Sequence, residues 1–300
     1  MRRWWNRFFF EPASTLPLAM CRIVNGFIAF VCAAMLFPDR FIWFGDRGLV
    51  SPRTAIAIND VPVTSLFHWT GDVEPLVTPL LVLMMIAGLT LTAGFFTRTS
   101  AAIVFLVLMA LHHRTSMILS GADMLLRINA LLLAFSHAGA SLSVDARRDP
   151  RPRPLQPPWA QRLMQIQLAI VYAGTMIWKL HGRPWIDGTA VYYVMTIGDF
   201  QRWQHPTIFL PLVVSKIVTW STLVIEAAAA TLIWFKPFRM PVLVAAILMH
   251  VSMEIALNVP MFQWLMVGSL LLFIEPAEVR RGWQRVRARR LRALPDTART

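Results

Sequence analysis

The chain has 300 residues, of which 56% are hydrophobic and 15% charged, and its mean hydropathy is +0.54. This composition is too apolar for a soluble protein of this size and is typical of a chain that crosses a membrane several times. The net charge of +13 would suggest nucleic-acid binding in a soluble protein. Here the arginines fall in short segments between apolar runs, where they set membrane orientation, so we expect no nucleic-acid partner.

Residues 1–15 contain three arginines, two tryptophans and three phenylalanines, which is typical of a cytoplasmic anchor lying at the membrane surface. Eight apolar stretches follow, and each is predicted to cross the bilayer as a helix. Their approximate limits are Leu16–Leu36, Leu76–Phe96, Ala101–Leu111, Ala122–His137, Trp159–Lys179, Leu212–Phe235, Met240–Asn258 and Pro260–Ile274.

The segments that connect the apolar stretches indicate how the chain is oriented. Thr97-Arg98-Thr99 is predicted as a tight cytoplasmic turn, and the arginine- and proline-rich residues 145–158 as a cytoplasmic linker. Residues 276–300 form a basic tail against anionic lipid headgroups. The sequence therefore predicts an all-α polytopic membrane bundle of about eight helices, residues 16–275, with both termini in the cytoplasm.

Ionisable side chains inside the predicted spans are candidate functional groups, because a charge in a bilayer costs about 2.5 to 3.5 kcal/mol. His250 and Glu254 lie one turn apart on the seventh span, where they either lock two helices together or belong to a site. Glu226 lies in the middle of the sixth span. It is either protonated there or paired with a group such as Arg22 on the first span.

Lys179 ends a polar stripe on the fifth span. Gln165, Tyr172 and Lys179 are seven residues apart and share one helical face, and Trp178 and Trp185 are predicted anchors at the outer surface. One interpretation is a lysine that reaches the interface with its charge intact. The other is an amine that burial neutralises, so that it acts as a base.

Several common sites are missing from the sequence pattern. The histidines of the predicted spans do not lie at matching depths for haem, and no close cluster of histidine, cysteine and carboxylate residues has zinc-site spacing. There is also no P-loop, no G-x-S-x-G motif and no dinucleotide fingerprint. We therefore expect no metal, and ATP-driven transport and serine hydrolysis are unsupported.

The segment Y-A-G-T-M-I-W-K-L-H-G-R-P-W-I-D-G, from Tyr172 to Gly188, resembles the helix that bears the catalytic lysine in vitamin K-dependent gamma-carboxylase and in the related bacterial HTTM proteins. A second segment, H-V-S-M-E-I-A-L-N-V-P-M-F from His250, resembles a carboxylase segment with a functional histidine. S-L-S-V-D-A-R-R is similar to the cytoplasmic turn of the family. The resemblance covers most of the chain and is most specific over residues 159–276.

In the carboxylase, the resemblance implies, a neutral lysine deprotonates a quinol, oxygen adds, and the resulting strong base removes a proton from a glutamate side chain that then captures carbon dioxide. By position, Lys179 would be the base, His250 would orient the substrate, and His113 would stand near the second histidine of the family. The cofactor would be a quinol of the menaquinone or vitamin K hydroquinone type. The remaining residues of the predicted pocket are Tyr172, Trp185, Gly188, Glu226, Glu254 and Arg22.

Two departures from the carboxylase pattern affect the predicted reaction. A basic tail stands where the carboxylase continues into a luminal domain, and Trp178 replaces the neighbour of the family's lysine pair. The leading hypothesis is quinol- and oxygen-dependent modification of a peptide or small molecule at the outer membrane face, with carboxylation, a lyase-type reaction, as one form. The alternatives are a non-catalytic maturation factor or chaperone for an exported peptide, and a proton-coupled transporter using Lys179, Glu226 and Glu254.

Overall fold

A computed structural model describes residues 2–51, 54–55, 57, 74–149, 155–203, 211–259 and 261–277. Most of the predicted basic tail, the predicted start of the eighth span at Pro260 and part of the linker 145–158 lie outside these residues. The α-helices of the described part are, in chain order, α1 (Arg2–Phe10), α2 (Leu16–Leu36), α3 (Arg40–Phe44), α4 (Glu74–Ala93), α5 (Thr97–Arg114), α6 (Gly121–Phe135), α7 (Val144–Arg148), α8 (Trp159–Leu180), α9 (Arg183–Ile186), α10 (Ala190–Thr196), α11 (Leu212–Thr231), α12 (Lys236–Ala256) and α13 (Phe262–Leu270).

Two short strands, β1 (Ala13–Ser14) and β2 (Leu155–Gln156), pair antiparallel at the end of the bundle where α2 and α8 begin. Ala13 pairs with Gln156 and Ser14 with Leu155. Short 3-10 turns extend α11 over Leu232–Trp234 and α13 over Leu271–Phe273. The protein is thus an all-α helix bundle with one small β ladder among its described residues.

Each of the eight predicted apolar stretches is helical over most of its length in the structure. Five helices are long and apolar enough to cross a membrane, namely α2, α4, α8, α11 with its extension, and α12. The apolar helix Phe262–Phe273 is shorter. Many of their large apolar side chains are exposed, as expected for surfaces that face lipid tails rather than water.

The predicted turn Thr97-Arg98-Thr99 is wrong, because these residues form the first turn of α5. The carboxylate of Asp145 accepts hydrogen bonds from the backbone N–H groups of Phe96 and Thr97, at 2.9 and 2.8 Å, and from the Thr97 hydroxyl at 2.7 Å. Backbone N–H groups at the start of a helix have no partner inside the helix. A carboxylate 48 residues away therefore starts this helix earlier than the local sequence suggests.

The helices α2 and α4 approach each other closely through two glycines. A side chain at Gly26 would begin 2.6 Å from the backbone nitrogen of Thr92, and one at Gly88 would begin 2.6 Å from that of Phe30. Small residues at a helix interface allow this kind of contact in membrane proteins, where dispersion between backbones stabilises the pair. The first two long helices thus form a close pair inside the bundle.

Arg22 is fully buried in α2, where it joins three segments at one end of the bundle. Its guanidinium donates to the backbone oxygens of Leu91, at 2.8 Å, and Leu142, at 2.6 Å. A cavity lined by both Pro17 and Gln161 shows that α2 and α8 begin side by side, and Lys179 lies at the far end of the 22-residue α8. About 30 Å of helix separates these ends. Arg22 therefore does not meet Glu226, although it was one of the partners that the sequence left open, and it lies at the opposite end of the bundle from Lys179.

Candidate functional site

A buried ion pair links α8 and α11 at the end of the bundle opposite to Arg22. Lys179, in the last turn of α8, forms a salt bridge and hydrogen bond through its Nζ with Oε1 of Glu226. The same Nζ lies 4.8 Å from the centroid of the Trp185 ring, a cation–π distance. The second carboxylate oxygen, Oε2 of Glu226, is buried without a hydrogen bond to any described residue.

This contact contradicts the expectation of an unpaired amine at Lys179. Glu226 is paired, but with Lys179 rather than with Arg22. The attraction between an ammonium and a carboxylate in contact opposes the cost of burying both charges.

Three buried polar side chains form a hydrogen-bonded relay between α8, α12 and α13. The Tyr172 hydroxyl lies 2.8 Å from Nε2 of His250, and Nδ1 of His250 lies 2.6 Å from Oε1 of Gln263. The amide oxygen can only accept, so Nδ1 carries a hydrogen and donates it. Nε2 of the neutral imidazole then accepts the hydroxyl hydrogen of Tyr172. All three side chains are at most 3% exposed.

The structure brings Tyr172 and His250 into contact, whereas His250 and Glu254 have different partners. The Glu254 carboxylate instead accepts from Arg202, at 3.4 Å, in the loop that follows α8. The interpretation of His250 and Glu254 as a mutual pair is therefore wrong. Gln263 was not predicted. The sequence contained a signal for Gln263, because an amide side chain inside an apolar helix requires a polar partner.

Buried hydroxyls and Glu226 form a polar stripe on α11. Ser215, Thr219, Thr222 and Glu226 are all 5% exposed or less. Thr219 accepts a hydrogen bond from the backbone N–H of Val191, at 3.2 Å, and Ser215 accepts one from that of Tyr192, at 3.1 Å. The stripe therefore holds the first turn of α10 against α11.

Residues 182–203, which we call the outer cap because the sequence predicts them outside, lie against the ends of α8, α11 and α12 that are opposite to Arg22. Trp203 donates from Nε1 to the backbone oxygen of Ile255, at 2.8 Å, and the Phe200 backbone oxygen accepts from Asn258, at 2.9 Å. The cap therefore covers the bundle end where Lys179 and Glu226 meet.

Gly188 and Trp185, two of the predicted pocket residues, belong to this cap. Gly188 has a φ of +77°, and a side chain there would begin 2.8 Å from Cγ of Lys216. Its place in the motif is explained by backbone packing on α11, whereas Trp185 contacts the Lys179 amine.

His113 does not line the site at Lys179 but a separate groove. It lines an apolar groove of about 450 Å³ between α4 and α5, which also includes Leu83 and Leu106. Both leucines are more than two fifths exposed, so this groove faces the lipid side of the bundle. The neighbouring His112 lines a different cavity, together with Asp123. The prediction that His113 shares a pocket with Lys179 receives no support from these contacts.

No group of three or more histidine, cysteine, aspartate or glutamate side chains that could hold a metal ion occurs among the described residues. The polar groups of the Lys179 cluster are instead an ammonium, a carboxylate with one unpaired oxygen, and the neutral relay of Tyr172, His250 and Gln263. This set can exchange a proton with a hydroxyl group and stabilise the resulting anion.

The HTTM domain family model matches residues 10–277 of the chain. The chain belongs to the HTTM family. It is 35% identical over 124 residues to the protein YitO of Bacillus subtilis (strain 168), which is 39% of each chain. It is 25% identical over 121 residues to the sporulation-delaying protein SdpB of the same organism, which is 39% of this HTTM chain and 38% of SdpB. The chain thus spans about two fifths of each of these curated relatives. No solved structure matches it.

Proposed function

We propose that this HTTM protein crosses a bacterial inner membrane eight times, with residues 1–15 as a surface anchor, residues 16–275 as the membrane domain and residues 276–300 as a basic tail. The proposal is supported by eight helices in the positions of the apolar stretches and by the exposed tryptophans of α1. Exposed arginines lie in α1, at the start of α5 and in α7. Arginine-rich segments usually stay in the cytoplasm, which supports an orientation with the outer cap outside.

The function that the site supports best is quinol-linked chemistry at the outer face, acting on an exported peptide or a small molecule. The observation that carries it is the Lys179–Glu226 pair, with Oε2 of Glu226 unpaired, beside the relay of Tyr172 and His250. A quinol held here would supply the oxygen-reactive chemistry that the resemblance implies. Oε2 of Glu226 would accept a proton from a hydroxyl group bound beside it. The Lys179 ammonium would stabilise the negative charge left on that group.

A second candidate is a non-catalytic maturation factor for an exported peptide. The specific observation in its favour is that Lys179 and Glu254 are both engaged in ion pairs that tie helices or the outer cap together. A non-catalytic scaffold needs such ion pairs to hold its segments together, and it needs no free base. The relative SdpB is named for delaying sporulation rather than for a reaction, which agrees with this candidate.

Bound lipid and oxygen uptake distinguish the two candidates. The protein is purified in mild detergent, its lipids are extracted for mass spectrometry, and oxygen uptake is measured after addition of a menaquinol. The enzyme is expected to retain a quinone and to lose oxygen uptake roughly 100-fold or more in Glu226→Gln, as for removal of a proton acceptor. Lys179→Arg keeps a positive charge and should lose less than Lys179→Ala. Lys236→Ala, which removes an exposed lysine at the inner end of α12, is the control.

Absence of both quinone and oxygen uptake in the wild-type protein would exclude the enzymatic candidate. Full oxygen uptake in Lys179→Ala would leave the quinol chemistry in place but remove this site from it.

A further inference from the structure

A small polar cavity, which we call the arginine cavity, lies where α2 and α8 begin, at the end of the bundle opposite to the outer cap. Its volume is about 130 Å³, which is the space of roughly four water molecules in the liquid. The polar residues of its lining include Ser14 ahead of α2, Gln161 and Arg162 in the first turn of α8, Arg239 and Glu275. The arginine cavity can therefore hold a polar group of a few atoms but not a nucleotide or a folded peptide.

Two guanidinium groups and one carboxylate meet at the arginine cavity. Nη1 of Arg239 lies 2.5 Å from Oε1 of Glu275 in an ion pair, and the Arg162 guanidinium interacts electrostatically with both of these groups. The Glu275 side chain is 42% exposed, whereas that of Arg239 is only 11% exposed. One carboxylate balances one of the two guanidinium charges. The lining residues therefore leave a positive charge that favours an anion in the cavity.

Arg162 has hydrogen-bond donors that the fold leaves for a ligand. Its Nε donates to the Phe8 backbone oxygen at 3.3 Å, and its Nη1 donates to Oε1 of Gln165 at 2.9 Å. These contacts orient the planar guanidinium, while its Nη2 makes no hydrogen bond to any described residue. The Ser14 hydroxyl accepts from the Leu16 backbone at 3.3 Å and still has its own hydrogen to donate. An oriented guanidinium edge beside a hydroxyl donor is suited to the oxygens of a phosphate group.

The helix α1 connects the arginine cavity to the membrane surface. The Arg162 guanidinium lies 4.9 Å from the centroid of the Phe8 ring, and this ring lies 6.1 Å from that of Trp234, which lines the cavity. Trp4 and Trp5 of α1 are 64% and 53% exposed, as expected for a helix at the level of the lipid headgroups. Phosphate is a common anionic group at this level, and basic pockets between membrane helices bind phosphorylated headgroups.

We propose that the arginine cavity binds a phosphate group. Arg162 and Arg239 are its cationic ligands, and Glu275 is an internal carboxylate that the phosphate displaces from Arg239. The exposure of Glu275 allows this exchange, because its side chain can turn into water. A phospholipid headgroup and free inorganic phosphate offer the same chemistry to the cavity. The cavity contains none of the residues of the Lys179 cluster, so this inference does not rest on the proposed function.

Two probes test the proposal on the purified, delipidated full-length protein in detergent. Native mass spectrometry measures the binding of dihexanoyl phosphatidic acid, and dihexanoylglycerol, which lacks only the phosphate, is its matched control. Equilibrium dialysis measures the binding of radiolabelled inorganic phosphate. We expect the phosphatidic acid to bind and the dihexanoylglycerol not to bind. Binding of inorganic phosphate as well would support a site open to water, whereas binding of the phosphatidic acid alone would support a headgroup site served from the membrane.

The variants separate this site from a general attraction between a basic protein and an anion. Arg162→Gln should weaken binding about tenfold or more, because it removes a charged hydrogen-bond donor. Glu275→Gln should strengthen binding, because the competing carboxylate loses its charge, and a misfolded protein cannot produce this gain. Arg7→Gln is the control, since Arg7 is an exposed arginine of α1 that pairs with Glu11.

Thermal unfolding in detergent shows whether Arg162→Gln is folded. Absence of binding by both probes, equal weakening in Arg162→Gln and Arg7→Gln, or unchanged affinity in Glu275→Gln would overturn the proposal. None of these results depends on quinone content or oxygen uptake.

Discussion

At the level of single residues, the ion pair of Lys179 and Glu226 combines a large desolvation cost with a large electrostatic attraction. Removing charges from water costs several kcal/mol for each ion, and mutual attraction offsets this cost only while both partners are present. The Lys179 side chain is 22% exposed and that of Glu226 only 7%. Loss of the lysine therefore leaves the more deeply buried charge without a partner.

We expect Lys179→Met to destabilise the protein by about 3 kcal/mol, because a buried carboxylate loses its partner. The double variant Lys179→Met with Glu226→Leu should recover most of this loss, since it leaves no buried charge. Chemical unfolding of the purified protein in detergent measures both free energies. If the double variant loses as much free energy of unfolding as the two single variants together, the two side chains are not coupled.

Gln263 fixes the hydrogen position on His250. We expect Gln263→Leu to cost about 1–3 kcal/mol, because it leaves a buried N–H of His250 without an acceptor. It should also change the ¹⁵N chemical shifts of the His250 ring, which report which nitrogen carries hydrogen. Gln167→Leu is a suitable control, because the buried Oε1 of Gln167 has no hydrogen-bond partner among the described residues. Unchanged His250 shifts in the Gln263 variant would contradict this role.

The sequence predicted which residues are polar inside the bundle, but it often predicted the wrong partners. Glu226 was recognised because a carboxylate in an apolar helix needs a partner, and this rule is local. Glu226 pairs with Lys179 rather than with Arg22 because of which ends of α2 and α8 lie together. No local sequence pattern contains this information. The spacing of His250 and Glu254 on one helix left a mutual pair open, whereas their actual partners lie on other segments.

At the level of elements, the outer cap depends on a close contact between Gly188 and α11. We expect Gly188→Ala to destabilise the cap by roughly 1–3 kcal/mol, because alanine is strained at φ +77° and its Cβ meets Lys216. Limited proteolysis of the cap should become faster. The control is Gly198→Ala in the same cap, since a Cβ at Gly198 meets nothing within 4 Å. Equal proteolysis rates for the two variants would show that the contact does not hold the cap.

Helix positions were predicted well because long apolar stretches are a strong signal, and α2 agrees with its prediction at both ends. The start of α5 was missed for a different reason. Its cap comes from Asp145, which is distant in sequence, and neither Phe96 nor Thr97 supplies a side-chain cap of its own. The cap therefore becomes visible only when the fold has brought the two segments together.

At the level of the whole molecule, charged side chains help to hold both ends of the bundle. Where α2 and α8 begin, Arg22 and Asp145 bind mainly backbone groups and so fix helix ends in place. Arg239 and Glu275 form an ion pair at the same end. At the opposite end, Lys179 pairs with Glu226 and Arg202 with Glu254.

Asp145, which caps the start of α5, makes stability depend on pH. Burial alone raises the pKa of Asp145, but the hydrogen bonds from Thr97 and Phe96 and the charge of Arg22 together lower it below its ordinary 3.8. The unfolded carboxyl therefore binds a proton at higher pH than the folded one. The stabilisation is complete well above pH 3.8 and is lost as the pH falls through the lowered pKa of the folded state.

We expect Asp145→Asn to be less stable than the wild type at neutral pH, because it loses the charged cap of α5. The difference in unfolding free energy should shrink as the pH falls below about 4, where the wild-type carboxyl also becomes neutral. Unfolding in an acid-stable detergent over this range measures it. Asp199→Asn, which removes an exposed carboxylate in the outer cap, is the control and should follow the wild type. A difference that stays constant with pH would mean that Asp145 acts through its shape and hydrogen bonds rather than its charge.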